Sequence, residues 1–168
     1  MFKIEYKISS IDYTDFIGDK GYYKMHCNEN TYGDIFSNDL ESIMGTNYLY
    51  DWVEDITKVT LKLQEVNYVA LSDIESYNLW IEFYKDDEDL YISLVNADKP
   101  DGTESIAYEL FNKSYSEDLW TEEKIKFVEF KKEIVRVVGK YVEDVKVCNA
   151  DKIVEKSNLL QDLLCDLQ

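Results

Sequence analysis

The stretch Tyr77-Asn78-Leu79-Trp80-Ile81-Glu82-Phe83-Tyr84-Lys85-Asp86-Asp87-Glu88-Asp89-Leu90-Tyr91-Ile92-Ser93-Leu94-Val95 decides the fold class. Tyr77, Leu79, Ile81 and Phe83 alternate with Asn78, Trp80, Glu82 and Tyr84. Leu90, Ile92 and Leu94 then alternate with Tyr91, Ser93 and Val95. Side chains of a strand point to opposite faces in turn, so each run reads as a strand. The four acids Asp86-Asp87-Glu88-Asp89 between them form a short polar connection, and strands joined by a short turn are antiparallel. The Tyr77–Phe83 stripe is expected to face the core. On the opposite stripe of Trp80, Glu82 and Tyr84, the tryptophan either lies under a helix or faces a partner.

Working outward, residues 68–71 add a short apolar strand before the hairpin. Pro100 with Asp101-Gly102 marks a turn after it, and residues 105–111 read as one more strand. At the start of the chain Phe2, Ile4, Tyr6 and Ile8 alternate with Lys3, Glu5, Lys7 and Ser9, again a half-buried strand. Residues 22–27 and 31–36 read as two strands around the polar turn Asn28-Glu29-Asn30. Asn38 and Glu41 have capping-box spacing for a short helix that Gly45 ends. From residue 48 the period changes: Leu49, Trp52, Val53, Ile56, Val59, Thr60 and Leu63 share one helical face. Asp51, Glu54, Asp55, Lys58 and Lys62 occupy the opposite, solvent-facing side.

Thr121 reads as the N-cap of a long helix, with Glu122 and Glu123 at its positive end. Its apolar stripe is Ile125, Val128, Ile134, Val135, Val138, Tyr141, Val142 and Val145. Asn149-Ala150-Asp151 breaks it, and residues 153–167 form a last amphipathic helix through Ile153, Leu160, Leu163, Leu164 and Leu167. The expected architecture is a single α+β domain over residues 1–168, an antiparallel sheet of about five to six strands covered on one face by helices. Residues 1–112 form its strand-rich part and 113–168 its helical part.

The 168-residue chain has a net charge of −17 and is 45% hydrophobic and 14% aromatic, a globular composition. Residues 1–112 hold 23 acidic and 8 basic residues, whereas 113–156 hold ten of each. Charge serving solubility alone has no reason to concentrate in the strand-rich part; a binding face does. Such a potential repels nucleic acid and anionic lipid and attracts a basic protein. The alternating N-terminus lacks the continuous apolar stretch of a signal peptide. Three widely spaced cysteines, Cys27, Cys148 and Cys165, argue against a disulfide framework. A cytoplasmic protein is the expectation.

The residues for catalysis are sparse. His26, the single histidine, neighbours Cys27 on a strand, so the two side chains diverge and form no nucleophilic pair. No Gly-x-Ser-x-Gly turn, Cys-x-x-Cys or phosphate-cradling glycine loop is present, and Asp98 to Glu104 lacks the ligand spacing of a calcium loop. Neither an enzyme nor a cofactor or metal is expected. Asp86, Asp87, Glu88 and Asp89 at the hairpin tip and Asp51, Glu54 and Asp55 on the helix are the candidate partner contacts. Trp80, Glu82 and Tyr84 join them as aromatic and acidic groups on the sheet. The alternative is a structural or regulatory interaction protein of unknown partner, one form of which is a homodimer through the C-terminal leucine-rich helix.

The segments Tyr50-Asp51-Trp52-Val53-Glu54 and Leu71-Ser72-Asp73-Ile74-Glu75-Ser76-Tyr77-Asn78-Leu79-Trp80-Ile81-Glu82-Phe83 resemble those of small acidic proteins of Gram-positive bacteria. In size, acidity and α+β layout the chain resembles the immunity proteins of bacterial polymorphic toxin systems. The resemblance implies binding of one cognate toxin domain, often a basic nuclease, and a block of its active site or an exosite.

Overall fold

A computed structural model of the protein describes residues 1–11, 15–73, 76–116, 119–149 and 155–168. The strands divide between two antiparallel sheets. The first contains β1 (Phe2–Ile8), β2 (Lys20–Cys27), β3 (Asn30–Tyr32) and β4 (Asn47–Tyr48), with β2 paired to the other three. The second is built from β5 (Tyr68–Ser72), β6 (Leu79–Asp86), β7 (Asp89–Asn96), β8 (Ile106–Ala107) and β9 (Glu123–Lys126), in the order β8-β5-β6-β7-β9. Four helices complete the described fold: α1 (Asn38–Met44), α2 (Leu49–Lys62), α3 (Phe127–Cys148) and α4 (Glu155–Leu167). The protein is α+β, as its alternating runs imply.

One continuous core joins the two sheets. Ile4 and Met25 enter it from the first sheet, Leu71 and Phe83 from the second, and Val53, Ile134 and Leu160 from the helices. Every residue of the expected α2 stripe from Leu49 to Leu63 is buried. On α3 the ring of Phe130 meets Phe2 at 5.0 Å and Phe83 at 5.5 Å between centroids, so it bridges the sheets. α3 also closes the edge of β1. The Ile4 amide donates to Glu133 Oε1 at 2.7 Å, and Arg136 Nη2 donates to the Ile4 carbonyl at 2.9 Å. A carboxylate and a guanidinium thus take the places of a neighbouring strand's C=O and N–H. On α4, Leu160, Leu164 and Leu167 are buried, Leu163 partly so, and Ile153 lies outside the described residues.

Several sequence expectations are corrected. Thr121 does not cap a helix: residues 123–126 form β9, which pairs with β7 from Ile92↔Glu123 to Asp89↔Lys126, and α3 begins at Phe127. Pairing with an exposed sheet edge overrides the helix preference of Glu and Lys. Consequently Ile125 is buried as a strand residue, and Val128 is exposed while Phe130 fills the core. Tyr77 precedes β6 and is 94% exposed, so the inward stripe begins only at Leu79. Residues 105–111 supply just the two-residue β8, and the strand expected over 31–36 ends at Tyr32. The Asn38–Glu41 capping box does not form; Ser37 is the N-cap, and Glu41 turns inward beneath Lys7.

Cys27 is fully buried, and that burial pushes its thiol up to about 12. Cys148 and Cys165 are exposed. A thiol reagent is therefore expected to modify those two in the folded protein and Cys27 only on unfolding. Rapid titration of all three thiols at neutral pH without denaturant would contradict this packing.

Candidate functional site

The two-residue loop of the β6–β7 hairpin sets the site. Asp86 pairs with Asp89, leaving Asp87 and Glu88 in the turn, and Asp87 takes the left-handed conformation at φ 55° that aspartate tolerates. This register places Tyr84 beside Tyr91, Glu82 beside Ser93 and Trp80 beside Val95. On the other side β5 sets Tyr68 beside Tyr84 and Ala70 beside Glu82. Ile81 and Phe83 face the core, so Trp80, Glu82, Tyr84 and Asp86 look the other way.

That outer face carries a graded cover. Trp80 is buried with Ala70, Val95 and Ala97, and Tyr68, Ala107 and Leu110 pack against this small cluster. Toward the hairpin tip the cover ends and a concavity of about 380 Å³ opens. Small neighbours create it: Ala70 and Ser93 flank Glu82 in its row, while the next row carries Tyr68, Tyr84 and Tyr91. Lys113, Tyr115 and Glu122 wall it from outside the hairpin.

Glu82, 6% exposed, lies at the back. It accepts hydrogen bonds from Tyr68 Oη at 2.9 Å, Lys113 Nζ at 2.6 Å and Tyr115 Oη at 2.9 Å. Burial works against the charge on Lys113, but its bonds to Glu82 and Tyr115 outweigh that and hold the ammonium above its usual range. Burial, reinforced by the Glu82 charge, pushes the Tyr68 hydroxyl well above its ordinary value. The Lys113 ammonium lies 6.0 Å from the Tyr68 ring centre and 5.2 Å from that of Tyr115. At the opposite rim the Glu122 amide donates to Ser93 Oγ at 2.9 Å, with Glu122 at φ 54°. Neither Asp86 nor Glu122 has a cation in ion-pair range among the described residues. The concavity is thus lined by three carboxylates against one ammonium.

The candidate residues from sequence fall into separate places. Glu82, Tyr84 and Asp86 share the concavity, and Asp87 and Glu88 form the hairpin turn beyond it. Asp89 serves the fold instead: Lys124 and Lys126 each approach it at 2.7 Å and hold its carboxyl below the usual range. Glu88 lies 3.7 Å from Lys126. Trp80 is core. Asp51, Glu54 and Asp55 belong to α2, which packs against the inner face of the sheet, so they do not join this site. Asp55 departs further from expectation, being buried at 8% exposure, and burial raises its pKa against a hydrogen bond from Ser105. Glu54 pairs with Lys58 at 2.5 Å within the helix.

Tyr68, Tyr91, Ser93, Lys113, Tyr115 and Glu122 were not among the partner contacts expected from sequence, and Glu122 was expected instead at the start of α3, which begins at Phe127. For Tyr91 and Ser93 the signal existed, since a two-residue loop fixes their partners on β6. Lys113 and Tyr115 lie on irregular chain, where no periodicity points to them. Among the described residues no three His, Cys, Asp or Glu side chains are grouped to hold a metal, and no helix is long and apolar enough to cross a membrane. His26 Nε2 lies 3.8 Å from Glu5, in the first sheet and away from the concavity. The arrangement can receive cations against carboxylates and tyrosine faces. Comparison of the chain with protein-family models, curated proteins and solved structures finds no match.

Proposed function

We propose that this chain is an acidic binding protein without turnover of its own, which neutralises a basic protein domain in the cytoplasm as an immunity protein neutralises its toxin. The observation that supports it is the open concavity, where Asp86 and Glu122 lack cationic partners among the described residues and lie beside exposed tyrosine. Unpaired carboxylates steer a basic partner to the face, and the aromatic rings supply contact area at low entropic cost. The net charge of −17 strengthens the encounter over a distance set by the salt.

The test is growth rescue. A basic C-terminal domain of a secreted protein encoded beside this chain is produced in the cytosol with and without it. Restored growth and a stable complex are expected; absence of such a neighbour, or no rescue by well-expressed chain, sinks the reading. In the purified pair, reversing Asp86, Asp87 and Glu88 to lysine should slow association about tenfold or more at low salt, and less at moderate salt. A rate unchanged at both salts removes the hairpin end from the interface.

A further inference from the structure

Tyr68, Tyr84 and Tyr91 pair directly across three adjacent strands and form a shelf of rings on the outer face. The protein's own cations lie over both ends of this shelf. Lys113 Nζ lies 6.0 Å from the Tyr68 ring centre while bonded to Glu82. Lys124 Nζ lies 5.5 Å from the Tyr91 ring centre while paired to Asp89. Each outer position therefore combines a tyrosine face, an ammonium and a carboxylate. The central ring, Tyr84, is 49% exposed, and among the described residues no cation lies over it. Its carboxylates are nevertheless present: Asp86 follows it by two residues on the same face, Glu122 lies on the Ser93 side, and neither is ion-paired among the described residues.

We propose that the position over Tyr84 receives an arginine side chain of a protein partner, the guanidinium lying on the ring with its edge donors directed to Asp86 and Glu122. This deepens the binding reading and rests on it for the partner's identity. Arginine rather than lysine follows from the layout. By register Asp86 lies one row from Tyr84 toward the hairpin tip, while Glu122 is bonded to Ser93 in the row on its other side, and a planar group with five donors can satisfy both while stacked. An ammonium is a point charge that stacks less well and serves one side at a time. The two lysines already in place are tethered by the fold, which explains why a single carboxylate suffices for each.

The test uses capped Gly-Arg-Gly, with Gly-Lys-Gly and Gly-citrulline-Gly as comparisons, titrated into the whole chain labelled on its tyrosine rings. Magnetic resonance should show saturable shifts of the Tyr84 and Tyr91 rings with the arginine peptide in the millimolar range. Affinity for the lysine peptide should be at least about threefold weaker, and the uncharged citrulline peptide should give no saturation. Tyr84→Leu and the pair Asp86→Asn with Glu122→Gln should each abolish saturation, with thermal melts showing that the variants remain folded. Equal binding of lysine and arginine, binding of citrulline, binding unaffected by these substitutions, or no saturable shift of these rings would each overturn the assignment. Growth rescue by a chain that ignores the arginine peptide would defeat this site and leave the binding function standing. An arginine-binding chain that rescues nothing would do the reverse.

Discussion

Truncating Phe130 to alanine is expected to cost about 4 kcal/mol of folding stability. The ring is fully buried and stands between Phe2 of the first sheet and Phe83 of the second, at 5.0 and 5.5 Å. Phe127 adds a third contact at 6.4 Å. Removing it leaves a cavity where three elements meet, and their backbones are held by separate ladders that cannot collapse together. Against a typical total of about 5–15 kcal/mol, this is a large fraction. Urea unfolding of the variant should show a lower midpoint, and Val128→Ala, on the exposed side of the same helix turn, should stay within about 0.5 kcal/mol of the parent. A loss below about 1 kcal/mol for Phe130→Ala would mean the two sheets do not depend on this ring.

The second large effect is expected at Glu41. Its carboxylate is buried, and burial alone would raise its pKa. Bonds from Lys7, Ser10, Ser9 and the Ser10 amide outweigh burial and hold it at about 2, against an ordinary 4.5. Lys7 Nζ lies 2.5 Å from Oε1, while Ser9 Oγ, the Ser10 amide and Ser10 Oγ donate to Oε2 at 3.0, 2.9 and 2.8 Å. A depressed carboxylate pKa stabilises the folded state above the unfolded value and loses that contribution as pH falls through the folded value. The full shift corresponds to about 3 kcal/mol; with Lys7 partly exposed and screened, about 2 kcal/mol is expected at neutral pH. Glu41→Gln should therefore be less stable than the parent by that amount at pH 7, and the two curves should converge between pH 4.5 and about 2. A gap that persists unchanged down to pH 2 would assign the cost to packing rather than to the charge.

Local pattern made the hairpin and α2 legible. Ile81 and Phe83 face inward because the alternation from Leu79 is uninterrupted, and the α2 stripe is buried because its spacing matches one helical face. Glu82 and Tyr84 were identifiable as facing away from that core, and the concavity lies on their side. What stayed hidden depends on contacts distant in sequence. The run Glu123-Lys124-Ile125-Lys126 has good helix formers, and only its pairing with residues 89–92 makes it a strand. Asp55 lies on the polar side of α2 by spacing, yet it is buried and bonded by Ser105, a residue fifty positions on. Lys113 reaches Glu82 across 31 positions from an irregular segment, an ion pair that no period encodes. The same holds for Asp89, an expected contact of the hairpin tip whose carboxylate two lysines from β9 engage instead.

The bonds from Glu133 and Arg136 to Ile4 reach beyond the folded monomer. An unpaired strand flank is a template on which a second chain can dock and start a fibril. Here an incoming strand would first have to displace two charge-assisted bonds and strand a carboxylate and a guanidinium inside the new seam, a costly beginning. At high protein concentration this guard keeps copies from polymerising through the β1 flank.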